Sequence, residues 1–399
     1  MTNPLIIRQG QVLGWGAAGV SRWKGFLAAA LAFGTATAGA QTQDRPEGPR
    51  GWDCQRAAQY LDDRMDWWLG QAKPLKEGEA KAACISCHSV APYLLARPAL
   101  RQTVQAAEPA LQETRLLADV ARRVEAASPA DPAYARADKP APASEAVLSA
   151  LLLAAADARQ SRREPSDLTL RAFRQMWSRQ RADGSWDWVD LAQEPDESAD
   201  SRYNGTALAA IALATGPGLS ALPEGGTPEQ TARLRGYLNG QFATQNLYRR
   251  AWMLVASTRL SGLLNLAQRQ ELLAELQAAQ NADGGWALLR LGPWRWSKPD
   301  SPATPNAALE PSLLALRSDA YATGFVAYAL RQAGMSPADP ALKKALDWLK
   351  ANQKEGDNPR WKYWPAPSLN HGPKSGGEAR NRLVMADAAT AYAVLALRP

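Results

Sequence analysis

Residues 180–186 read Gln-Arg-Ala-Asp-Gly-Ser-Trp, and residues 280–286 read Gln-Asn-Ala-Asp-Gly-Gly-Trp. Each closes a helical pattern, and the two share Gln-x-x-x-Gly-x-Trp. Gln353-Lys-Glu-Gly356, followed by Trp361, is a looser third copy. A glycine past the last turn adopts the left-handed conformation that stops a helix. The Gln amide can satisfy backbone groups left free at that end. The Trp then covers the neighbouring hairpin, burying a large area while its N–H finds a partner. These residues read as staples rather than catalysts.

The segments around these ends alternate in character. Helices over 144–159, 204–215, 248–258, 318–333 and 385–397 are rich in Ala, Gly and Thr. Those over 167–180, 228–240, 267–280 and 340–353 are amphipathic, with Arg, Lys and Gln on one side. Small residues suit helices enclosed on all sides, and one apolar stripe suits an outer layer. Three earlier helices are predicted over 54–69, 92–103 and 110–126, from Ala58, Leu61, Met65 and Trp68 onward. Residues 41–51 read as a linker and 128–142 as a loop. The sum is about twelve helices, an all-α (α/α)6 toroid occupying 54–399 as one domain, with no β-rich segment.

The Gln-x-x-x-Gly-x-Trp ends resemble the QW motifs of squalene-hopene and oxidosqualene cyclases. The wider group includes the protein prenyltransferase β subunits and other α/α-toroid proteins. The resemblance covers roughly 144–399 and implies inner helices lining a central cavity, which in the cyclases holds a folded isoprenoid. The chain departs from these families at their reactive residues. The Asp-x-Asp-Asp motif with which class II cyclases protonate their substrate is absent. Asp62, Asp63 and Asp66 have the wrong spacing and read as a solvated face. Glu194-Pro-Asp196-Glu197-Ser-Ala-Asp200 is the densest acidic stretch and also lacks the pattern. The chain has about half the length of a two-barrel cyclase. No Cys follows Cys87 and His371 is the sole later His, so the prenyltransferase zinc set is missing too, as is the Cys-Gly-Glu-Gln run of a thioester protein.

Residues 84–88 read Cys-Ile-Ser-Cys-His, which resembles the attachment motif of cytochromes c. That resemblance implies a covalent haem c on Cys84 and Cys87 with His88 as axial iron ligand, in a segment spanning 80–92. Two thiols three residues apart on one helical turn would face the same way. A Cys84–Cys87 disulfide or redox pair and a zinc site joined by Cys54 are the alternatives. For the sixth iron position the sequence offers His371, Met176, Met253, Met335 and Met385. Met176 and Met253 fall at core positions of patterned helices. His371 lies in a long unpatterned segment that can reach over a cavity mouth; it reads as an iron ligand, a distal acid–base group or an ordinary exposed His.

Arg22 and Lys24, the apolar run 25–37 and Ala38-Gly39-Ala40 read as a signal peptide over 1–40, with a retained anchor as the alternative. A periplasmic product is expected, and with it a periplasmic redox partner. The net charge of +7 falls to about +4 without Arg8, Arg22 and Lys24, and the basic residues are scattered, so no nucleic-acid surface is read. In a toroid the starts of the inner helices gather at one end. Ser144, Glu145, Tyr203, Asn204, Arg249, Arg250, Asp319, Tyr321 and Asp387 fall there. Asp319 and Asp387 are the candidate general acids or bases, and serve equally well as helix N-terminal residues.

The expectation is therefore a periplasmic toroid carrying a haem, in electron transfer or oxidation of an apolar, isoprenoid-like ligand. If it is an enzyme, a haem oxidoreductase is expected rather than a class II cyclase. The rivals are a haem-free toroid enzyme acting on a terpenoid or a polysaccharide, and a non-catalytic binding protein. Carboxylates facing each other across the cavity would favour a glycan substrate, and a filled cavity would favour the binding role. Since the protonating motif is missing, purified protein incubated with squalene should yield no hopene or other cyclic product by gas chromatography.

Overall fold

The computed structural model describes residues 51–75, 81–127, 141–191, 193–294, 316–369 and 378–398. Residues 1–40, read as a signal peptide, the linker up to residue 50 and His371 lie outside the described residues.

Twelve α-helices follow one another among them. The first four are α1 (Cys54–Leu69), α2 (Val90–Thr103), α3 (Leu111–Ala126) and α4 (Ala141–Arg159). Next come α5 (Asp167–Ser178), α6 (Arg202–Thr215), α7 (Pro228–Gln241) and α8 (Leu247–Ser257). The chain ends with α9 (Leu266–Ala278), α10 (Ala320–Gln332), α11 (Pro340–Ala351) and α12 (Glu378–Leu397). The even-numbered helices pack in sequence, α2 on α4 and onward to α12, which returns to α2. The ring is closed, and each odd-numbered helix lies outside it. This is the all-α (α/α)6 toroid read from the sequence.

Composition explains the layers. In α6 every residue from Tyr203 to Leu213 is buried, and in α10 every residue from Ala320 to Leu330. Bulky side chains all round would hold such helices apart. At Gly324 of α10 a Cβ would stand 2.8 Å from the backbone nitrogen of Ala393 in α12. The outer helices bury one stripe, as in Leu234 and Leu238 of α7 or Leu342, Ala345 and Leu349 of α11.

The Gln-x-x-x-Gly-x-Trp ends act as the sequence suggests. Gly184 and Gly284 have φ of +92° and +95°. Trp186 Nε1 donates to the Met176 carbonyl of α5 at 2.6 Å, and Trp286 Nε1 to the Leu276 carbonyl of α9 at 2.7 Å. Each Gln also reaches the start of another outer helix. Gln180 Nε2 donates to the Gln230 carbonyl of α7 at 2.9 Å, and Gln280 Nε2 to the Ala341 carbonyl of α11 at 2.8 Å.

The third copy corrects the reading of Trp361. Gln353 does staple α11 onward, donating to the Asp53 carbonyl at 3.0 Å and accepting from Asp53 N at 2.8 Å, at the N-cap of α1. The Trp that turns back onto its own helix is Trp364, whose Nε1 donates to the Leu349 carbonyl at 2.7 Å. A short antiparallel hairpin, 354–355 against 362–363, sits between the Gln and this Trp and displaces it in sequence. Trp361 is half-buried and donates instead to Asp63 Oδ2 at 2.7 Å. No described helix is long and apolar enough to cross a membrane.

Trp186→Ala, Trp286→Ala and Trp364→Ala should each lower stability to chemical denaturation by about 3–5 kcal/mol, the scale of a fully buried aromatic. Trp361→Ala should cost distinctly less.

Candidate functional site

The inner ring encloses a cavity of about 590 Å³, within the usual range for small-molecule sites. On α6 it is lined by Asn204, Leu208, Ile211 and Thr215, and on α4 by Leu148, Leu151, Ala155 and Ala158, each one helical face. The run from Asn204 to Thr215 gives a depth of about 16 Å at ~1.5 Å per residue. At the N-terminal end of the inner helices lie Cys87, Trp188, Asp196 and Asn204; Trp252, Tyr392 and Leu395 contribute further on. At the other end lie Arg159, Arg259, Arg331 and Arg398.

Asp196 is the only carboxylate among the described residues that lines the cavity. It sits in the connection between α5 and α6, where Trp188 Nε1 donates to its carbonyl at 2.9 Å. The Tyr248 hydroxyl lies 2.7 Å from Asp196 Oδ1, the Tyr321 hydroxyl 2.6 Å from Oδ2, and the two hydroxyls 2.8 Å from each other. Three hydrogen-bonded contacts thus join three groups, and the tyrosines supply two protons. The third contact is satisfied when Asp196 carries a proton itself. Burial acts in the same direction, raising the Asp196 pKa above its ordinary value despite the opposing pull of Tyr321 and Tyr248. Beside it, Asn204 is buried, and its Nδ2 donates to the Pro195 carbonyl at 3.4 Å. Its Oδ1 is buried without a hydrogen-bond partner.

The Cys-x-x-Cys-His segment does not form a helical turn. It runs irregularly to Ser86, turns at Cys87–Ser89, and α2 begins only at Val90. It is pinned from outside: Ala83 N donates to Asp119 Oδ2 at 2.8 Å, Arg123 Nε to the Ala83 carbonyl at 2.6 Å, and Trp68 Nε1 to the Cys84 carbonyl at 2.8 Å. Cys84 is exposed while Cys87 lines the cavity, and both thiols are free. His88 Nε2 lies 3.2 Å from Glu197 Oε1, and Nδ1 3.2 Å from Ser89 Oγ. Ser89 Oγ in turn donates to Asp387 Oδ2 at 3.3 Å. The two thiols face different surroundings, one exposed and one against the cavity. As arranged, these residues do not fit a haem. Burial and the neighbouring Glu197 and Asp196 push the Cys87 thiol well up, so it is a neutral thiol rather than a reactive thiolate. Among the described residues no group of three or more His, Cys, Asp or Glu is placed to hold a metal ion.

The two carboxylates proposed from sequence as acids or bases are engaged elsewhere. Asp319 caps α10, accepting from Ala322 N at 2.8 Å and Leu288 N at 2.6 Å, and burial pushes its pKa up to about 6. Asp387 is buried under the Arg64 guanidinium, with contacts of 2.7 and 3.0 Å, and accepts from Tyr60 at 2.9 Å. Neither lines the cavity. Arg249 pairs with Glu194, Arg250 with Glu275 and Glu145 with Arg123. Of the residues gathered by hairpin geometry, Asn204 and Tyr321 are in the site. Met176, Met253 and Met385 are buried, and Met335 packs against the core. Asp196 lay in the acidic stretch noted from sequence, but that stretch was compared with one family's spacing; the cue in the sequence was a Pro-flanked carboxylate directly ahead of an inner helix.

No family model and no curated protein matches the chain. Solved structures match along most of its length. The unsaturated glucuronyl hydrolase of Bacillus sp. GL1, responsible for the degradation of glycosaminoglycan, has a TM-score of 0.50 at 14% identity, covering 86% of this chain and 96% of that one. An unsaturated glucuronyl hydrolase specific for heparin has a TM-score of 0.53 at 11% identity, covering 86% and 94%. A type II terpene cyclase from Scytonema has a TM-score of 0.40 at 14% identity, covering 85% and 98%. At these identities the shared feature is the α/α-toroid fold.

His88 and Glu197 form a charged pair. Burial acts to lower the His88 pKa, and the Glu197 carboxylate outweighs it, leaving the pKa raised. Burial acts to raise Glu197, and His88 leaves it lowered. The His contribution is therefore complete below its unfolded pKa and lost as pH rises through the raised one; the Glu contribution is complete above its unfolded pKa and lost as pH falls through the lowered one. Both are complete between about pH 4.3 and 6.5. Glu197→Gln should lower the His88 pKa, read by NMR in a chain with only two His, and its stability loss should be greatest in that window.

Proposed function

We propose that this chain is a haem-free toroid enzyme in which Asp196 delivers a proton to a substrate held in the central cavity. The observation that carries the reading is the triangle of Asp196, Tyr248 and Tyr321, with two hydroxyl protons for three contacts. In the resting state the carboxyl is neutral. As its proton passes to the substrate, the hydroxyls of Tyr248 and Tyr321 can each turn to an oxygen of the new carboxylate. Those charge-assisted bonds are stronger than the neutral ones they replace, so the stabilisation grows as the proton leaves. Asn204 Oδ1 is placed to accept from the substrate, and Trp188 and Trp252 give it a water-poor surface.

Proton transfer of this kind serves the cleavage of a glycosidic or enol-ether bond, and equally the activation of a carbon–carbon double bond. The glucuronyl hydrolases built on the same fold support an enzymatic role and keep a glycan among the substrates. The pair of carboxylates that ordinary glycosidases require is not present across this cavity among the described residues, which favours a single-acid mechanism.

A panel of unsaturated uronate oligosaccharides and terpenoid olefins tests the reading. Turnover should fall as pH rises through the Asp196 pKa, which stands above the ordinary ~3.9, because the active form is the protonated one. Asp196→Asn should abolish turnover with the melting temperature retained. Undiminished turnover in Asp196→Asn, or a haem absorption band in protein from cells competent in haem maturation, would overturn it.

A further inference from the structure

The end of the cavity opposite Asp196 carries a feature that proton transfer does not use. Arg159 ends α4, Arg331 lies in the last turn of α10, and Arg259 and Arg398 come directly after α8 and α12. All four line the cavity, and Arg159 and Arg259 are exposed there. Among the described residues no carboxylate pairs with any of them. Glu113, which acts on Arg159 at longer range, is bonded by Arg101 at 2.8 Å.

A helix C-terminus favours a nearby cation, and Arg331 serves its neighbourhood in this way, bonding the carbonyls of Ala396, at 2.7 Å, and Arg398. That preference does not require four guanidinium groups to turn into one lumen, where they repel. Burial lowers the pKa of Arg331 and Arg398 lowers it further; burial likewise lowers Arg159, with Arg101 adding to it. Arg259 donates to the neutral Gln332 Oε1 at 2.9 Å, and a rim of arginines that meets no carboxylate among the described residues fits an anion.

Between rim and floor the wall is largely apolar, with Leu148, Leu151, Leu208 and Ile211 on one side and the rings of Trp252, Tyr328 and Tyr392 beside them. A hydrocarbon chain laid along it gains free energy with each methylene removed from water. At the floor lies Asn204, whose Oδ1 is buried without a partner.

We infer that the cavity binds a single-chain anionic amphiphile, its carboxylate or phosphate head on the arginine rim and its hydrocarbon body running down to Asp196 and Asn204. This names the substrate class of the proposed acid site, and it rests on that reading only for the chemistry after binding.

Binding is therefore measured by calorimetry and Trp fluorescence on the full chain and on Asp196→Asn, where the acid chemistry is removed. The probes are dodecyl phosphate, dodecanoate, dodecanol, dodecyltrimethylammonium and inorganic phosphate, all below micelle formation. Dodecyl phosphate or dodecanoate should bind both proteins, at least about tenfold more tightly than dodecanol, as expected for a charge-assisted bond. The preferred head distinguishes phosphate from carboxylate. Arg159→Gln and Arg259→Gln, chosen because these side chains are exposed, should each weaken the anionic probe about tenfold and leave dodecanol unchanged. Equal binding of dodecanol and the anions, binding of inorganic phosphate as tight as that of the alkyl phosphate, preference for the ammonium probe, or no binding of any amphiphile would each overturn the inference. Amphiphile binding without any turnover would leave this inference standing and remove the acid reading.

Discussion

A ring of helices holds only if its last member meets its first; here α12 packs on α2, and a buried ion pair fastens that seam to the outer helix α1. Arg64 of α1 and Asp387 of α12 are 323 residues apart in sequence and joined by two contacts of 2.7 and 3.0 Å. Removing one partner of such a pair leaves an uncompensated buried charge, at about 3–5 kcal/mol. Outside it, Gln353 fastens α11 to the cap of α1. The seam is thus fastened at two separate points. Ser89 also bonds Asp387, so the Cys-x-x-Cys-His turn is tied to the seam of the ring. Contacts of this sequence separation form late and slowly. Until the final helix is in place, α2 lacks one of its two inner neighbours.

Closure also decides what the cavity is. Six inner helices of one polarity bring the loops ahead of their N-termini to one end and their last turns to the other. The first end receives Asp196 and the Cys87 thiol from loops and Asn204 from the first turn of α6; the second receives arginines from the ends of four inner helices. A wall of Leu and Ile separates the two because the lining faces of α4 and α6 repeat at helical spacing. A single lumen with a buried carboxyl at one end and four arginines at the other is the product of helix direction and residue placement.

Much of the architecture was legible in the sequence, because its causes are local. Small-residue and amphipathic helices differ in composition, and Gly184 and Gly284 announce their helix ends. The Trp361 reading failed because a hairpin of the chain separates Gln353 from Trp364, and no local spacing reveals which indole folds back onto its helix. The site was less legible. Asp319 and Asp387 were placed near the right end of the ring, but whether a carboxylate faces a lumen or an arginine depends on partners such as Leu288 and Arg64, distant in sequence. The Cys-x-x-Cys-His string carries the right residues for thioether attachment. Its conformation is set by Asp119, Arg123, Trp68 and Glu197, which hold Cys84 outward and His88 inward.

The common polarity of the inner helices has an electrical consequence. Each helix carries about half a positive charge at its N-terminus and half a negative charge at its C-terminus. Six aligned around one low-dielectric lumen act as a battery whose positive pole is the Asp196 end. The arginines sit at the negative pole and offset it. A carboxylate newly formed at Asp196 would appear at the positive ends of the helix dipoles. The barrel itself, and not the tyrosines alone, then favours the charge left behind when a proton departs.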